Sequence, residues 1–217
     1  MQEDTSQVGY WDRVAPEKRF SHPLRLDWLE QYLPGRAASI LDHGCGYGRT
    51  LAELSTQGYR NIFGADFSPA MLARSRNEIP NAKMTCTDGR SLPFADGSFD
   101  LVLLFAVLTC IPDDNDQRAL LGEVERVLRP EGMLYISDLL VNTDARNSER
   151  YERFAKAHGC YGVFELPEGA VVRHHRKEWI AELANPFQQL AYEPFTVTTM
   201  NGNTSAAFQY FGRKARG

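Results

Sequence analysis

The sequence predicts an α/β protein built on a doubly wound, seven-stranded, mostly parallel sheet. An antiparallel C-terminal strand closes it, and an insertion after the fifth strand folds over the strand ends as a lid. Three observations point this way. From Ser39 to Ser137, short apolar runs alternate with helical patterns without pause, as expected of parallel strands joined by helices on both faces. The first apolar run ends in a turn with glycine at every second position, Gly44-Cys45-Gly46-Tyr47-Gly48. After Ser137 the rhythm breaks, and the chain finishes as two β-rich runs about Asn201-Gly202-Asn203, a hairpin signal.

The bulk properties suit one domain over residues 1–217, with a helical leader at 1–36 and the lid insertion at 139–176. A chain of 217 residues with 43% hydrophobic and 24% charged residues can bury a large sheet core. A formal charge of −4 leaves no electrostatic footprint for nucleic acid. The tail cluster Arg213, Lys214 and Arg216 reads as a solvated terminus. Four cysteines without paired spacing argue against a disulfide or zinc framework, so no metal centre is expected and a reducing cytoplasm fits. The polar start, Met1 to Gln7, has no signal-peptide character, and the apolar run from Leu101 to Leu108 is too short to span a bilayer. No membrane partner is expected, and the protein is read as a monomer or homodimer.

In chain order, the leader carries two large aromatics at Tyr10 and Trp11. A short helix follows, with Leu24, Leu26, Trp28, Leu29, Tyr32 and Leu33 as its mostly apolar face, stopped by Pro34-Gly35. The aromatics either pack on the core or cover a ligand. The first strand spans Ser39 to His43, and its helix buries Leu51, Ala52 and Leu54 before stopping at Gly58. The second strand, Asn61 to Asp66, is followed by Ser68 as helix cap and Pro69 at the first helical position, where no N–H is needed. The third strand is read at Ala82 to Thr87, and the fourth, Phe99 to Phe105, is apolar without alternation apart from Asp100, as expected when both its faces are covered. A helix over 115–129 has an acidic start that suits the helix dipole, and Pro130-Glu131-Gly132 ends it before a fifth strand at Met133 to Ser137. The insertion is read as a helix, Ala145 to His158, then a hairpin of 161–166 and 170–175. A helix at 177–184 and the closing hairpin, 196–200 with 207–213, complete the chain.

The glycine turn has the makings of a ligand cradle. Bare backbone admits a close ligand, positive φ is cheap only for glycine, and the next helix points unpaired N–H groups into the turn. A dinucleotide fingerprint would place Gly or Ala at position 49, where this chain has Arg49. The pattern is instead acid-x-Gly-x-Gly-x-Gly, followed by a second strand ending Gly64-Ala65-Asp66. It resembles the first motif of class I S-adenosylmethionine (SAM)-dependent methyltransferases, and the resemblance extends over 42–138.

That resemblance implies SAM as cofactor and a set of contacts. Asp42 would hold the ammonium of its amino-acid tail. Gly44, Cys45, Gly46 and Gly48 would let it lie on backbone, and Asp66 would accept both ribose hydroxyls. Asp88 and Gly89 would meet the adenine edge, Phe67 would pack on adenine or ribose, and Phe105 and Ala106 would line the methionine end. Tyr10 and Trp11 of the leader would cover the cofactor. The expected reaction is in-line displacement onto a small-molecule acceptor, for which alignment and water exclusion matter most. Where the acceptor must lose a proton, His22, His174 and His175 are the candidate bases. Alternation along a strand turns His174 and His175 to opposite faces, so at most one points into the cleft. His43, within the glycine motif, reads as a strand-end packing residue. A SAM-binding scaffold without turnover remains open as a rival, and a nucleotide-dependent oxidoreductase is disfavoured by Arg49.

Overall fold

The computed structural model describes residues 7–17, 19, 21–89 and 91–215; the segment Met1 to Gln7, apart from Gln7 itself, and Arg216 of the tail cluster lie outside them. The elements run α1 (Gln7–Val14), α2 (Leu26–Tyr32), β1 (Ser39–His43), α3 (Arg49–Thr56), β2 (Asn61–Asp66), α4 (Pro69–Glu78), β3 (Lys83–Cys86) and β4 (Phe99–Phe105). They continue as α5 (Asp114–Val127), β5 (Leu128–Leu139), α6 (Ala145–His158), β6 (Val163–Glu165), β7 (Val171–Arg173), α7 (Lys177–Leu183), β8 (Phe187–Thr198) and β9 (Thr204–Lys214).

The seven-stranded sheet has the order β3-β2-β1-β4-β5-β9-β8, with β9 antiparallel to both its neighbours and the other named pairs parallel. The order reverses at β1, which pairs with β2 on one side and β4 on the other, and ligands of such sheets sit outside the strand ends at that switch point. β4 shows how the sheet is held. Leu101, Leu103 and Phe105 enter the core on one face, and Val102 and Leu104 the core on the other. Each fully buried side chain of this size contributes about 1.5–3 kcal/mol.

A third apolar cluster lies away from the sheet faces. It joins Tyr10 and Trp11 of the leader, Tyr47 of the glycine turn and Met71 of α4 to Tyr151 of α6 and Phe164 and Val172 of the β6–β7 hairpin. Polar links tie the same parts together. Asp12 accepts from the Ser68 hydroxyl at 2.5 Å and from the Ala70 N–H at 3.2 Å. On the other side of α1, Gln7 and Arg13 donate to the hairpin carbonyls of Val171 and Glu168. Ser68 also caps α4, accepting from the Met71 N–H at 3.1 Å. The leader is therefore strapped between α4 and the hairpin.

Several boundaries differ from expectation. β5 starts at Leu128 because Pro130-Glu131-Gly132 forms an irregularity within the strand, with Glu131 at φ 62° and the register against β4 shifted there. β8 and β9 are far longer than the short hairpin read from sequence. β8 is an edge strand, largely exposed and carrying Pro194, so it shows no alternation. The lid hairpin is shorter than read, only three residues a side. Lys214, read as solvated, donates to the carbonyls of Glu125 and Leu128 at the end of α5.

Candidate functional site

Beyond the C-terminal ends of β1, β2 and β4 lies a cavity of about 1120 Å³, walled by the glycine turn, the leader, the lid hairpin, α6 and the β8–β9 turn. It exceeds the roughly 300–1,000 Å³ usual for one drug-sized ligand.

Asp66, at the end of β2, borders the cavity and is 6% exposed. Its two oxygens accept separately, one from the Gly46 N–H at 2.8 Å and the other from the Ser68 N–H at 2.8 Å. The carboxyl is thus held in one orientation with lone pairs to spare. Burial raises its pKa, while the three backbone N–H groups about it oppose the shift. Gly44 and Gly46 both border the cavity with positive φ, 71° and 53°. A Cβ at Gly44 would lie 2.6 Å from Val107 Cγ2, so only glycine lets the turn approach the end of β4 this closely. Gly89 and Phe67 sit side by side on the wall. Phe105 and Ala106 also line it, and Ala106 takes φ 55°, a conformation rare outside glycine, with its N–H bonded to the Ser137 carbonyl at 2.8 Å.

His43 is buried on the cavity wall, and its Nδ1 has no hydrogen-bond partner. Burial lowers its pKa to about 4, so it is neutral at pH 7. The packing role expected of His43 suits its burial, with the ring also bordering the cavity. Trp11 reaches the wall, whereas Tyr10 lies behind it with a buried, unpartnered hydroxyl pushed up to about 12, chiefly by burial. The two leader aromatics thus divide between the two readings, one packing and one lining.

Five other expected residues do not reach the cavity wall. Asp42 lies fully within the core, where burial raises its carboxyl to about 7 against the pull of Arg49. Cys45 packs into the core beside Gly64, and Gly48 faces Ser75 and Ile79 of α4. Asp88 is exposed and turned onto Ser91, accepting from its N–H at 2.8 Å and from its hydroxyl, so it holds a turn and Gly89 alone meets the cavity. His175 is completely buried between Gln117 Nε2, at 3.0 Å, and the Leu139 carbonyl, and does not border the cavity.

His174, its neighbour, does border the cavity. Its Nδ1 lies 2.6 Å from the Tyr151 hydroxyl. That hydroxyl already accepts from the Asn142 N–H at 3.3 Å, and the Asn142 side-chain NH2 also approaches Nδ1 at 3.4 Å, so Nδ1 is the acceptor and the hydroxyl proton goes to it. The tautomer is therefore Nε2–H, and burial, with Arg150 nearby, holds its pKa well below 6.5. His174 offers a donor to the cavity. His22 borders it too, 2.9 Å from the Ser137 hydroxyl through Nδ1, and burial lowers its pKa to about 4.

His175→Gln provides a pH test of this arrangement. The folded pKa of about 3 lies below the unfolded value near 6.5, so its stabilisation is present above pH 6.5 and lost as pH falls toward 3. Wild type should therefore exceed the variant in melting temperature at pH 7, and the gap should narrow steadily toward pH 4. A gap independent of pH would mean that His175 is not buried neutral.

Sequence reasoning passed over the α6 residues Arg146, Glu149, Arg150 and Arg153, although an i, i+4, i+7 arginine spacing was visible; it also missed Thr109, Cys110, Thr198 and Ser205, which carry no local signal.

A doubly wound sheet with a bare glycine turn and an anchored acid at its switch point defines a nucleotide- or nucleoside-binding α/β protein. Comparison with known proteins narrows this. Residues 41–136 match the methyltransferase domain family Methyltransf_11. The chain is 33% identical over 173 residues to the O-methyltransferase rstn1 of Aspergillus nomiae, spanning 75% of this chain and 73% of that protein. It is 30% identical to the 27-O-demethylrifamycin SV methyltransferase of Amycolatopsis mediterranei over 74% of this chain and 61% of that one. Two further curated relatives are matched over only about half their length, 53% and 52%. A SAM-dependent methyltransferase structure from Methanosarcina mazei superposes with a TM-score of 0.82 at 24% identity, covering 88% of this chain and 98% of that one. The chain belongs to the class I SAM-dependent methyltransferase family, whose methyl donor is S-adenosylmethionine.

The residues present fit that donor: an anchored carboxylate with lone pairs to spare and a glycine turn bare enough for a close ligand. Among the described residues no helix is long and apolar enough to cross a membrane.

Proposed function

We infer that the chain transfers the methyl group of S-adenosylmethionine to a small-molecule nucleophile held in the same cavity, with a hydroxyl oxygen as the first candidate acceptor. Bound S-adenosylmethionine supplies a methyl on cationic sulfur, displaced in line with a neutral thioether leaving. The observation that carries this is Asp66, held by two backbone N–H groups at the edge of a cavity too large for one ligand. Asp66 would take the ribose diol, Gly44 and Gly46 the tail and ribose, and Gly89 with Phe67 the adenine side. Phe105 and Ala106 would border the methionine end. Asp42 would act from behind the turn, through its charge on the ammonium.

The chain's own part in the chemistry is alignment and exclusion of water. His22, with a pKa near 4, is a weak base at pH 7, and His174 in its Nε2–H form is a donor. These groups orient an acceptor by hydrogen bonding. By this reading the chain is one domain of 1–217, with a helical leader at 1–36 and the lid insertion at 139–176. The free cysteines are compatible with the reducing, cytoplasmic setting of this reading.

Labelled S-adenosylmethionine with a panel of phenols, alcohols, carboxylic acids, amines and thiols tests the reading. Methyl transfer to at least one class is expected. His174→Ala should lower kcat/KM for the acceptor roughly tenfold or more, while leaving S-adenosylhomocysteine affinity unchanged. Binding without turnover on any class would favour the scaffold reading.

A further inference from the structure

Donor binding leaves one face of α6 unexplained. Arg146, Arg150 and Arg153 follow i, i+4, i+7, so they share one helix face, and all three border the cavity. Like charges at this spacing oppose each other and weaken a helix. Several other arginines are neutralised by acids: Arg25, Arg36, Arg49, Arg74, Arg118, Arg126, Arg129 and Arg173 each form an ion pair, while Arg60, Arg76, Arg176 and Arg213 form none with a described residue. Among the described residues, no carboxylate forms an ion pair with any of the three on α6. The acids that share the wall are otherwise placed. Glu165 faces His158 at 3.2 Å, and Glu149 and Glu168 are exposed to solvent. Asp144, at the start of α6, is engaged with Asn147, and its charge also acts on Arg146 and Arg150 without pairing with either.

Arg150 is held in place for a ligand. Its guanidinium lies over the Phe164 ring, 3.5 Å from the centroid, and 5.7 Å from the Tyr151 ring. Its Nε is buried without a partner. Tyr151, beside it on α6, bonds His174, whose Nε2–H is the donor left for the cavity. Three guanidinium groups and an imidazole N–H beside an aromatic wall form a donor-rich patch, in which Glu149 is the one acid of α6 that shares the wall. Planar forks of this kind match the oxygens of carboxylate and phosphate.

We propose that the α6 face, Arg146, Arg150 and Arg153 with His174, binds a carboxylate or phosphate group carried by the methyl acceptor, whose apolar body lies against Phe154 and Phe164. The proposal rests on the methyl-transfer reading of this cavity and specifies the substrate class. The net charge of −4 makes a general attraction of anions by the whole surface an inadequate alternative.

The 217-residue chain, saturated with S-adenosylhomocysteine, is titrated calorimetrically with phenyl phosphate, benzoate and neutral benzamide. At least one anion should bind about tenfold or more tightly than benzamide, with affinity falling as salt is raised. Preference for phenyl phosphate assigns a phosphate handle, and preference for benzoate a carboxylate. Arg150→Gln should lose at least about tenfold of the anion affinity. The double variant Arg146→Gln/Arg153→Gln, altered only at exposed positions, should lose a similar amount and keeps the test alive if Arg150→Gln does not fold. Arg118→Gln, whose charge is paired with Glu182 away from the cavity, should behave as wild type. Equal binding of anions and benzamide, binding of none, or unchanged anion affinity in the double variant overturns the proposal. Loss of S-adenosylhomocysteine affinity with the anion response intact also overturns it and assigns the arginines to the donor's own carboxylate. Failure of wild type to bind S-adenosylhomocysteine would overturn the methyl-transfer reading itself, and the proposal with it.

Discussion

Asp66→Ala is expected to lower S-adenosylhomocysteine affinity by roughly a hundred- to ten-thousandfold, because two hydrogen bonds to a charged acceptor at about 1.5–3 kcal/mol each would be lost. The variant also strips the Gly46 and Ser68 N–H groups of their acceptor. Each orphaned donor costs about 1–3 kcal/mol, so the melting temperature should fall as well. Asp66→Asn separates the two effects. Its amide oxygen satisfies one backbone N–H, while its NH2 group faces the other donor, so the fold should suffer less than ligand binding. Circular dichroism would establish that each variant is folded, and calorimetry would read the affinity. A folded Asp66→Ala protein that binds as wild type does would remove the diol assignment.

Replacing 163–171 with a short Gly-Ser loop is expected to reduce methyl transfer by about a hundredfold or more, with S-adenosylhomocysteine binding weakened less than about tenfold. The replaced stretch carries Phe164, Glu165, Leu166, Pro167 and Glu168 of the cavity wall and anchors the leader through Val171 and Glu168. Without it, solvent reaches the reacting groups and the acceptor loses part of its wall. The donor contacts lie at the strand ends and stay in place. The cut must stop before Arg173. That side chain bonds the Pro112 carbonyl and Asp114, its carbonyl accepts from Thr109, and His175 beyond it is packed in the core. Turnover at the wild-type rate in the loop variant would move the acceptor site to the leader side, beside Ser21 and His22.

Much of the sheet was legible because its signals are local. Ser68-Pro69 states a helix start whatever lies around it, and Ser68 does cap α4. β4 is apolar on both faces and needed no partner to be recognised. β8 was cut short in the reading because an edge strand with one face in water has no period to detect. Tyr10 and Trp11 could not be told apart by type, and only the packing of α1 against α4 and the hairpin turned one ring to the cavity and the other behind it.

The sequence by itself determined the family, the strand–helix order, the glycine cradle and the acid at the end of β2. Those features follow from backbone rules within a few residues: positive φ for glycine, caps, and the two periods of helix and strand. The tertiary structure alone decided which polar groups meet the cavity. Asp42, Cys45, Gly48 and Asp88 belong to the same motifs as Asp66, Gly44 and Gly89, yet core packing, α4 and Ser91 claim them. His174 and His175 differ by one step of alternation, and the Tyr151 hydroxyl then fixes the tautomer of the one that faces inward. The α6 arginines turn toward the cavity because the helix docks its aromatic residues on the hairpin. A side chain's orientation, charge state and partners depend on contacts dozens of residues away, and local periodicity holds no record of them.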